Sequence, residues 1–293
     1  MFRGSMVALV TPFKDGNVDE PALRALIEAQ IDGGTDVLVP CGTTGECATL
    51  SHAEHEQVIS ITVEQAKGRA RVIAGTGSNC TQEAIRLSRH AQSVGADACL
   101  SVTPYYNKPT QDGLYHHYQA IARACDLPII LYNVPGRTSV NLLPETVARL
   151  SGIDTIVGIK EASGNMQQVS DVIALCPDNF AIISGDDLIT KPMLAVGAVG
   201  VISVTANLVP QDMSAMIDAF FAGDHDRAKA LHYKLRPLHH AMFLETNPLP
   251  VKAALAMLGR CQNEFRLPLT PMSTGAQAKL RQAMLDYGLT PTL

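Results

Sequence analysis

Charge is scarce in this chain. Asp, Glu, Lys and Arg together make up 17% of its 293 residues, with a formal net charge of −5. The densest basic cluster is Arg69 and Arg71, so nothing electrostatic draws the chain to a nucleic acid. The cysteines (41, 47, 80, 99, 125, 176 and 261) form no C-x-x-C pair and no short zinc spacing. Their number is odd and several lie in apolar runs, which fits reduced thiols in a cytoplasm. No apolar run reaches bilayer length. Met1-Phe-Arg-Gly-Ser-Met-Val7 leads straight into a strand without the apolar core of a signal peptide. The expectation is a soluble cytoplasmic protein with neither nucleic acid nor membrane as partner. Dedicated cofactor motifs are missing too. There is no Walker A and no H-E-x-x-H, and Gly75-Thr-Gly77-Ser-Asn-Cys80 lacks the third glycine of a dinucleotide fingerprint. His52, His55 and Glu56 have helical spacing that could ligate a metal, but two histidines on a surface helix are usually solvated.

Apolar residues, in contrast, reach 46%, enough for a large core. Low charge also implies extensive buried surface, including surface between subunits. Short apolar runs recur at 5–11, 36–41, 71–76, 98–104, 128–134, 155–161, 180–184 and 200–205. Helical spacing lies between them, as in 20–31, where Leu23, Leu26, Ile27 and Ile31 share one stripe. Ser51 (with Glu54 in the capping-box position), Thr81 and Asp112 mark helix starts. Glycines 33/34, 68, 95 and 197 mark helix ends. Eight strands alternating with helices predict an α/β fold, a (β/α)8 TIM barrel spanning 1–223. A doubly wound sheet is the alternative. Helical periodicity at 225–242, 248–259 and 274–288, with no Gly/Ser linker before it, predicts a C-terminal helical appendage, 224–293, packed on the barrel.

Within Thr155-Ile-Val-Gly-Ile-Lys160-Glu-Ala-Ser163, strand alternation puts Ile156, Gly158 and Lys160 on one side and Val157 and Ile159 on the other. Lys160 would then project inside the barrel near the strand's C-terminal end. An ammonium taken out of water tends to lose its proton, and a neutral amine is a nucleophile for ketones. The plainer reading is a lysine leaning out to pair with Glu161.

Barrel active sites are built from strand C-terminal ends and the loops after them. Those ends carry Gly42-Thr-Thr-Gly-Glu46, Thr103-Pro-Tyr-Tyr-Asn107, Tyr132-Asn-Val-Pro-Gly-Arg137, Lys160, Ser184-Gly-Asp-Asp187 and Ile202. Gly42 to Gly45 can be a tight turn, or a cup of backbone N–H groups for a carboxylate. A buried Tyr132 needs a hydroxyl partner, and Thr43 is a candidate. Arg137 is either a solvated charge or a bidentate carboxylate clamp. Asp186 or Asp187 caps the helix beginning at Leu188, in preference to holding a metal.

Taken together, Gly42-Thr-Thr-Gly-Glu46, Tyr132-Asn-Val-Pro-Gly-Arg137, Gly158-Ile-Lys-Glu-Ala162, Ser184-Gly-Asp-Asp187 and Gly200-Val-Ile-Ser203 resemble the pyruvate-dependent class I aldolase/lyase family across the whole chain. Arg137 and the Thr43-Thr44 pair resemble the branch that condenses pyruvate with L-aspartate-4-semialdehyde on the way to lysine and diaminopimelate. Sialic-acid lyases and sugar-acid aldolases, the alternative substrates, usually lack that arginine. The resemblance implies that Lys160 forms a Schiff base with pyruvate. Tyr132, Thr43 and a Tyr106 from the partner subunit carry protons. Thr44, Gly185 and Ile202 hold pyruvate, and Arg137 takes the second substrate's carboxylate. It implies no metal or organic cofactor and a homotetramer built as a dimer of dimers. It also implies an inhibitory L-lysine pocket at Ala48, His52, His55, Asn79, Glu83 and Tyr105, with Cys47 where serine is common. A catalytically silent small-molecule sensor is the reading from another class, and a silent protein has no need of an intact Lys160, Tyr132, Thr43 and Tyr106.

Overall fold

The structure, a computed structural model, describes residues 2–292. Eight parallel strands close a barrel: β1 (Gly4–Ala8), β2 (Val37–Val39), β3 (Arg71–Gly75), β4 (Ala98–Val102), β5 (Ile129–Asn133), β6 (Ile156–Glu161), β7 (Ala181–Ser184) and β8 (Gly200–Ser203). Each pairs with the next, and β8 returns to β1 through Gly4↔Gly200 to Val7↔Ser203. All eight expected runs hold a strand. A Cβ on Gly200 would lie 2.3 Å from the Gly4 carbonyl oxygen, so the closing seam needs a glycine there.

Alternation divides the apolar residues into two shells. Met6, Val37, Val39, Ile73, Leu100, Ile130, Tyr132, Ile183 and Ile202 fill the barrel. Val7, Leu38, Val72, Cys99, Leu131, Ile159 and Val201 face the surrounding helices. One expectation fails. Ile156 belongs to the outer shell, and Val157 packs against the inner one. A register shift pairs Ile129 with Ile156 but Ile130 with Gly158, so one extra residue on β6 reverses the faces before Gly158. Beyond the shift, Ile159 points out and Lys160 in, as alternation requires.

The helices between strands are α1 (Glu20–Asp32), α2 (His52–Ala66), α3 (Thr81–Ser93), α4 (Gln111–Ala124), α5 (Pro144–Leu150), α6 (Met166–Leu175) and α7 (Thr190–Val196). Ser51 makes the complete capping box with Glu54 on α2. α3 begins at Thr81, as expected, with no side-chain cap from Cys80 before it. The third start signal is displaced: Thr110, not Asp112, caps α4. Thr81 and Asp112 bond His117 (2.9 Å) and Arg149 (2.9 Å).

After β8 come α8 (Pro210–Phe221), α9 (His225–Ala241), α10 (Leu249–Met257) and α11 (Thr274–Tyr287). Leu235, Leu238, Met242, Leu255, Leu280 and Met284 have no exposure, and each such burial contributes about 1.5–3 kcal/mol. The segment between α10 and α11 is also pinned. Arg266 forks onto Glu54 (2.5 and 2.8 Å) and reaches the Gly16 carbonyl (2.6 Å). The tail therefore sits over the C-terminal rim of the barrel.

Candidate active site

β5, β6 and β7 stand in register, so that Tyr132, Lys160 and Ile183 lie side by side. Lys160 is 6% exposed, and its Nζ lies 4.3 Å from the Tyr132 ring centroid. Gly185 makes room for it. A Cβ there would lie 3.0 Å from Lys160 Cε and 2.7 Å from Ala162 Cβ, so a larger residue displaces the amine's stem. Glu161, on the opposite face, does not pair with Lys160. Its carboxylate accepts from Asn133 (2.9 Å), Gln168 (3.1 Å) and the Ser163 N–H (2.6 Å), tying the tips of β5 and β6 together.

Above Lys160 opens a cavity of about 210 Å³, lined by Thr43, Thr44, Tyr132, Arg137, Lys160 and Gly185 among others. Six of the eight catalytic and substrate-binding candidates thus converge. Ile202 is fully buried in the barrel next to this group and does not line the cavity; Val204 does. Tyr106 stands apart, 89% exposed with φ 73°, and does not line this cavity. Asp186 also lines the cavity and caps the turn through the Leu188 N–H (2.9 Å), as expected. Burial raises its pKa. Asp187 is structural, accepting from the Val204 and Thr205 N–H groups at 3.0 Å.

The Gly42–Gly45 loop is gripped from both sides. The Thr11 hydroxyl donates to the Gly45 carbonyl (2.7 Å), and Asn247 Nδ2 donates to Thr44 Oγ1 (3.0 Å). Arg137, in the helical turn Pro135–Thr138, donates one bond to the Asn247 carbonyl (3.1 Å). Among the described residues no carboxylate pairs with it. Its guanidinium retains donors for a ligand's carboxylate.

A second cavity, about 590 Å³, lies behind this one and shares Thr43, Val134, Arg137 and Asn247 as its wall. Ala48, His52, His55, Glu83 and Tyr105 line it; Asn79 does not, but donates to the Tyr105 carbonyl (3.2 Å). The Glu83 carboxylate is held by Ser78 and lies 3.3 Å from His52. His55 is not the solvated surface residue its spacing implied. It is 6% exposed, within 2.7 Å of the Gly75 carbonyl, and burial lowers its pKa.

Sequence reasoning missed Asn247, Glu46 and Lys252. Asn247 lines both cavities and bridges Thr44 to Arg137. Lys252 is wholly buried in an ion pair with Glu46 at 2.5 Å. A signal existed for it. Leu249-Pro-Val-Lys-Ala-Ala-Leu-Ala-Met257 is apolar except for this one cation, which demands a buried partner.

The Dihydrodipicolinate synthetase family model matches residues 1–286. The chain is 58% identical to 4-hydroxy-tetrahydrodipicolinate synthase of Syntrophus aciditrophicus, over 99% of each chain. Among solved structures it is similar to dihydrodipicolinate synthase of Aquifex aeolicus, with TM-score 0.98 and 49% identity over 100% of both chains. It is also similar to the enzyme of Cyanidioschyzon merolae with lysine bound, with TM-score 0.96 and 41% identity over 99% of each.

Proposed function

The chain belongs to the dihydrodipicolinate synthetase family, and from that premise we propose that it condenses pyruvate with L-aspartate-4-semialdehyde to give 4-hydroxy-tetrahydrodipicolinate. The observation that carries this reading is a buried amine, Lys160, at the floor of a small cavity whose walls hold Tyr132, Thr43, Thr44 and an arginine with no carboxylate partner among the described residues. Lys160 Nζ adds to the pyruvate ketone and water leaves, giving an iminium. Its positive nitrogen accepts electrons as a methyl proton departs, so the enamine forms readily. The enamine carbon attacks the aldehyde, whose oxygen takes a proton. The substrate's amino group then adds to the iminium carbon, expels the Lys160 amine and closes the ring.

Tyr132 and Thr43 carry the protons, a role that phenol and hydroxyl groups fill without histidine or carboxylate. Tyr106, exposed in one chain, completes the relay by entering the partner subunit's cavity, so the working unit is an oligomer, a dimer of dimers. Thr44 and the N–H groups around it receive the pyruvate carboxylate, and Arg137 that of the semialdehyde. The second cavity takes L-lysine as inhibitor, with Glu83 facing its amino group. A biosynthetic enzyme of this kind acts in the cytoplasm. A sialic-acid or sugar-acid substrate is disfavoured by Arg137 and the Thr43-Thr44 pair.

Treatment with pyruvate and borohydride tests the reading. A covalent mass increase is expected on the Lys160 peptide, and turnover with aspartate semialdehyde but not with N-acetylneuraminate. A trapped adduct on any other residue, or none, overturns it.

A further inference from the structure

The Glu46–Lys252 pair has no part in the chemistry described so far. Both side chains are wholly unexposed, and the ammonium sits 3.9 Å from the Phe13 ring centroid and 5.1 Å from that of Phe265. Burial pulls the Lys252 pKa below its ordinary value, with Glu46 acting against the fall. A buried ion pair is a poor source of net stability, because apolar residues of similar volume often serve as well or better. Its advantage is positional. The attraction holds only when both groups stand at one place, and neither can turn to water.

What the pair holds is the threonine loop. Glu46 has φ 52° and ψ 36°, the left-handed region that residues with a Cβ seldom occupy. Its second carboxylate oxygen faces the Arg266 N–H at 3.4 Å. Two residues earlier, the Thr44 hydroxyl is held by Asn247, which precedes the same helix, α10. The segment 247–252 therefore grips the loop on both sides of Gly45. On the far side of that loop, Thr43 and Thr44 face Lys160 across the small cavity.

Resting on the reading above, we propose that Glu46 and Lys252 are positioning residues for pyruvate. Through them, helix α10 sets the placement of Thr43 and Thr44 over Lys160. The C-terminal appendage is then part of the pyruvate site although none of its charged groups touches the substrate.

The test uses Glu46→Gln, which keeps the shape and removes one charge, and the double variant Glu46→Gln/Lys252→Met, which leaves no buried charge unpaired. Steady-state kinetics for both substrates, borohydride trapping with pyruvate, and thermal unfolding are measured on the full-length enzyme. We expect KM for pyruvate to rise about fivefold or more in both variants, with KM for the semialdehyde within about twofold, since small misplacements of orienting groups are costly. Trapping at low pyruvate should slow in proportion. A folded double variant with parent-like KM for pyruvate, or equal rises for both substrates, overturns the proposal. So does failure of both variants to fold, which makes the pair structural only. If the parent itself is not trapped on Lys160, the functional reading falls whatever the variants do.

Discussion

Two buried lysines mark two regions of this molecule, and they differ in what surrounds the nitrogen. Lys252, on tail helix α10, has a carboxylate at 2.5 Å and aromatic rings with centroids at 3.9 and 5.1 Å. Lys160, at the tip of β6, has an aromatic ring at 4.3 Å, a cavity over it and no ion-pair partner among the described residues. A partnered buried amine is committed to holding structure. One that faces a cavity and has no ion-pair partner is available for covalent chemistry. The two arginines nearby divide in the same way. Arg266 is taken up by Glu54, Gly16 and Thr49, whereas Arg137 spends one bond on the Asn247 carbonyl.

Replacing each lysine is the strongest way to break this contrast. Lys160→Ala should lower turnover by on the order of 10⁴-fold while thermal unfolding stays near that of the parent, because a nucleophile is lost and no partner is stranded. Lys252→Met alone should instead cost about 3–5 kcal/mol of stability, since it leaves Glu46 charged and buried without a counter-ion. Denaturant unfolding and steady-state rates on both variants check this pair. A stable Lys252→Met protein, or an unfolded Lys160→Ala, would reverse the assignment of the two regions.

Arg137→Ala sharpens the contrast between the arginines. Losing a bidentate clamp should reduce kcat/KM for aspartate semialdehyde by about a hundredfold, while borohydride trapping of pyruvate continues. Equal damage to trapping would give this arginine a different role. At the second cavity, Glu83→Ala should raise the L-lysine concentration for half-inhibition by roughly tenfold, the value of one charge-assisted hydrogen bond. Initial rates across a lysine titration measure it, and a parent enzyme indifferent to millimolar lysine leaves those residues structural.

The smallest effect concerns Glu54. Its hydrogen bonds with Arg266 hold its pKa at about 2, down from 4.5. A depressed carboxylate pKa stabilises the fold above its unfolded value, and that contribution is lost as pH falls from about 4.5 through about 2. Glu54 is 24% exposed and Arg266 19%, so water still screens the pair and the effect is about 1 kcal/mol. Glu54→Gln should flatten that part of the acid unfolding curve and change little at pH 7. A loss of stability at pH 7 as large as that of Lys252→Met would show that burial does not separate the two pairs.

The barrel was legible because its signals are local. Each strand is a short apolar run with turn formers at its ends, and each chemistry-bearing group at a strand tip stands beside its own run. Errors arose where a local signal met a competing contact. The extra residue in β6 reversed Ile156 and Val157, because the pairing of β5 with β6 is set across the sheet. Asp112 gave way to Thr110 as the cap of α4, and His55 turned inward onto the Gly75 carbonyl.

Sequence alone therefore determined the order of the elements and the eight-strand alternation, and it put Lys160, Tyr132, Arg137 and the Thr43-Thr44 pair at strand tips. These follow from periodicity, which the chain carries wherever it folds. Only the tertiary structure decided which charges are committed and which are free. Glu46 meets Lys252 across 206 residues and Thr44 meets Asn247 across 203. Partners so distant are chosen by closure of the barrel and docking of the tail, and no local pattern encodes a contact that exists only once both are in place.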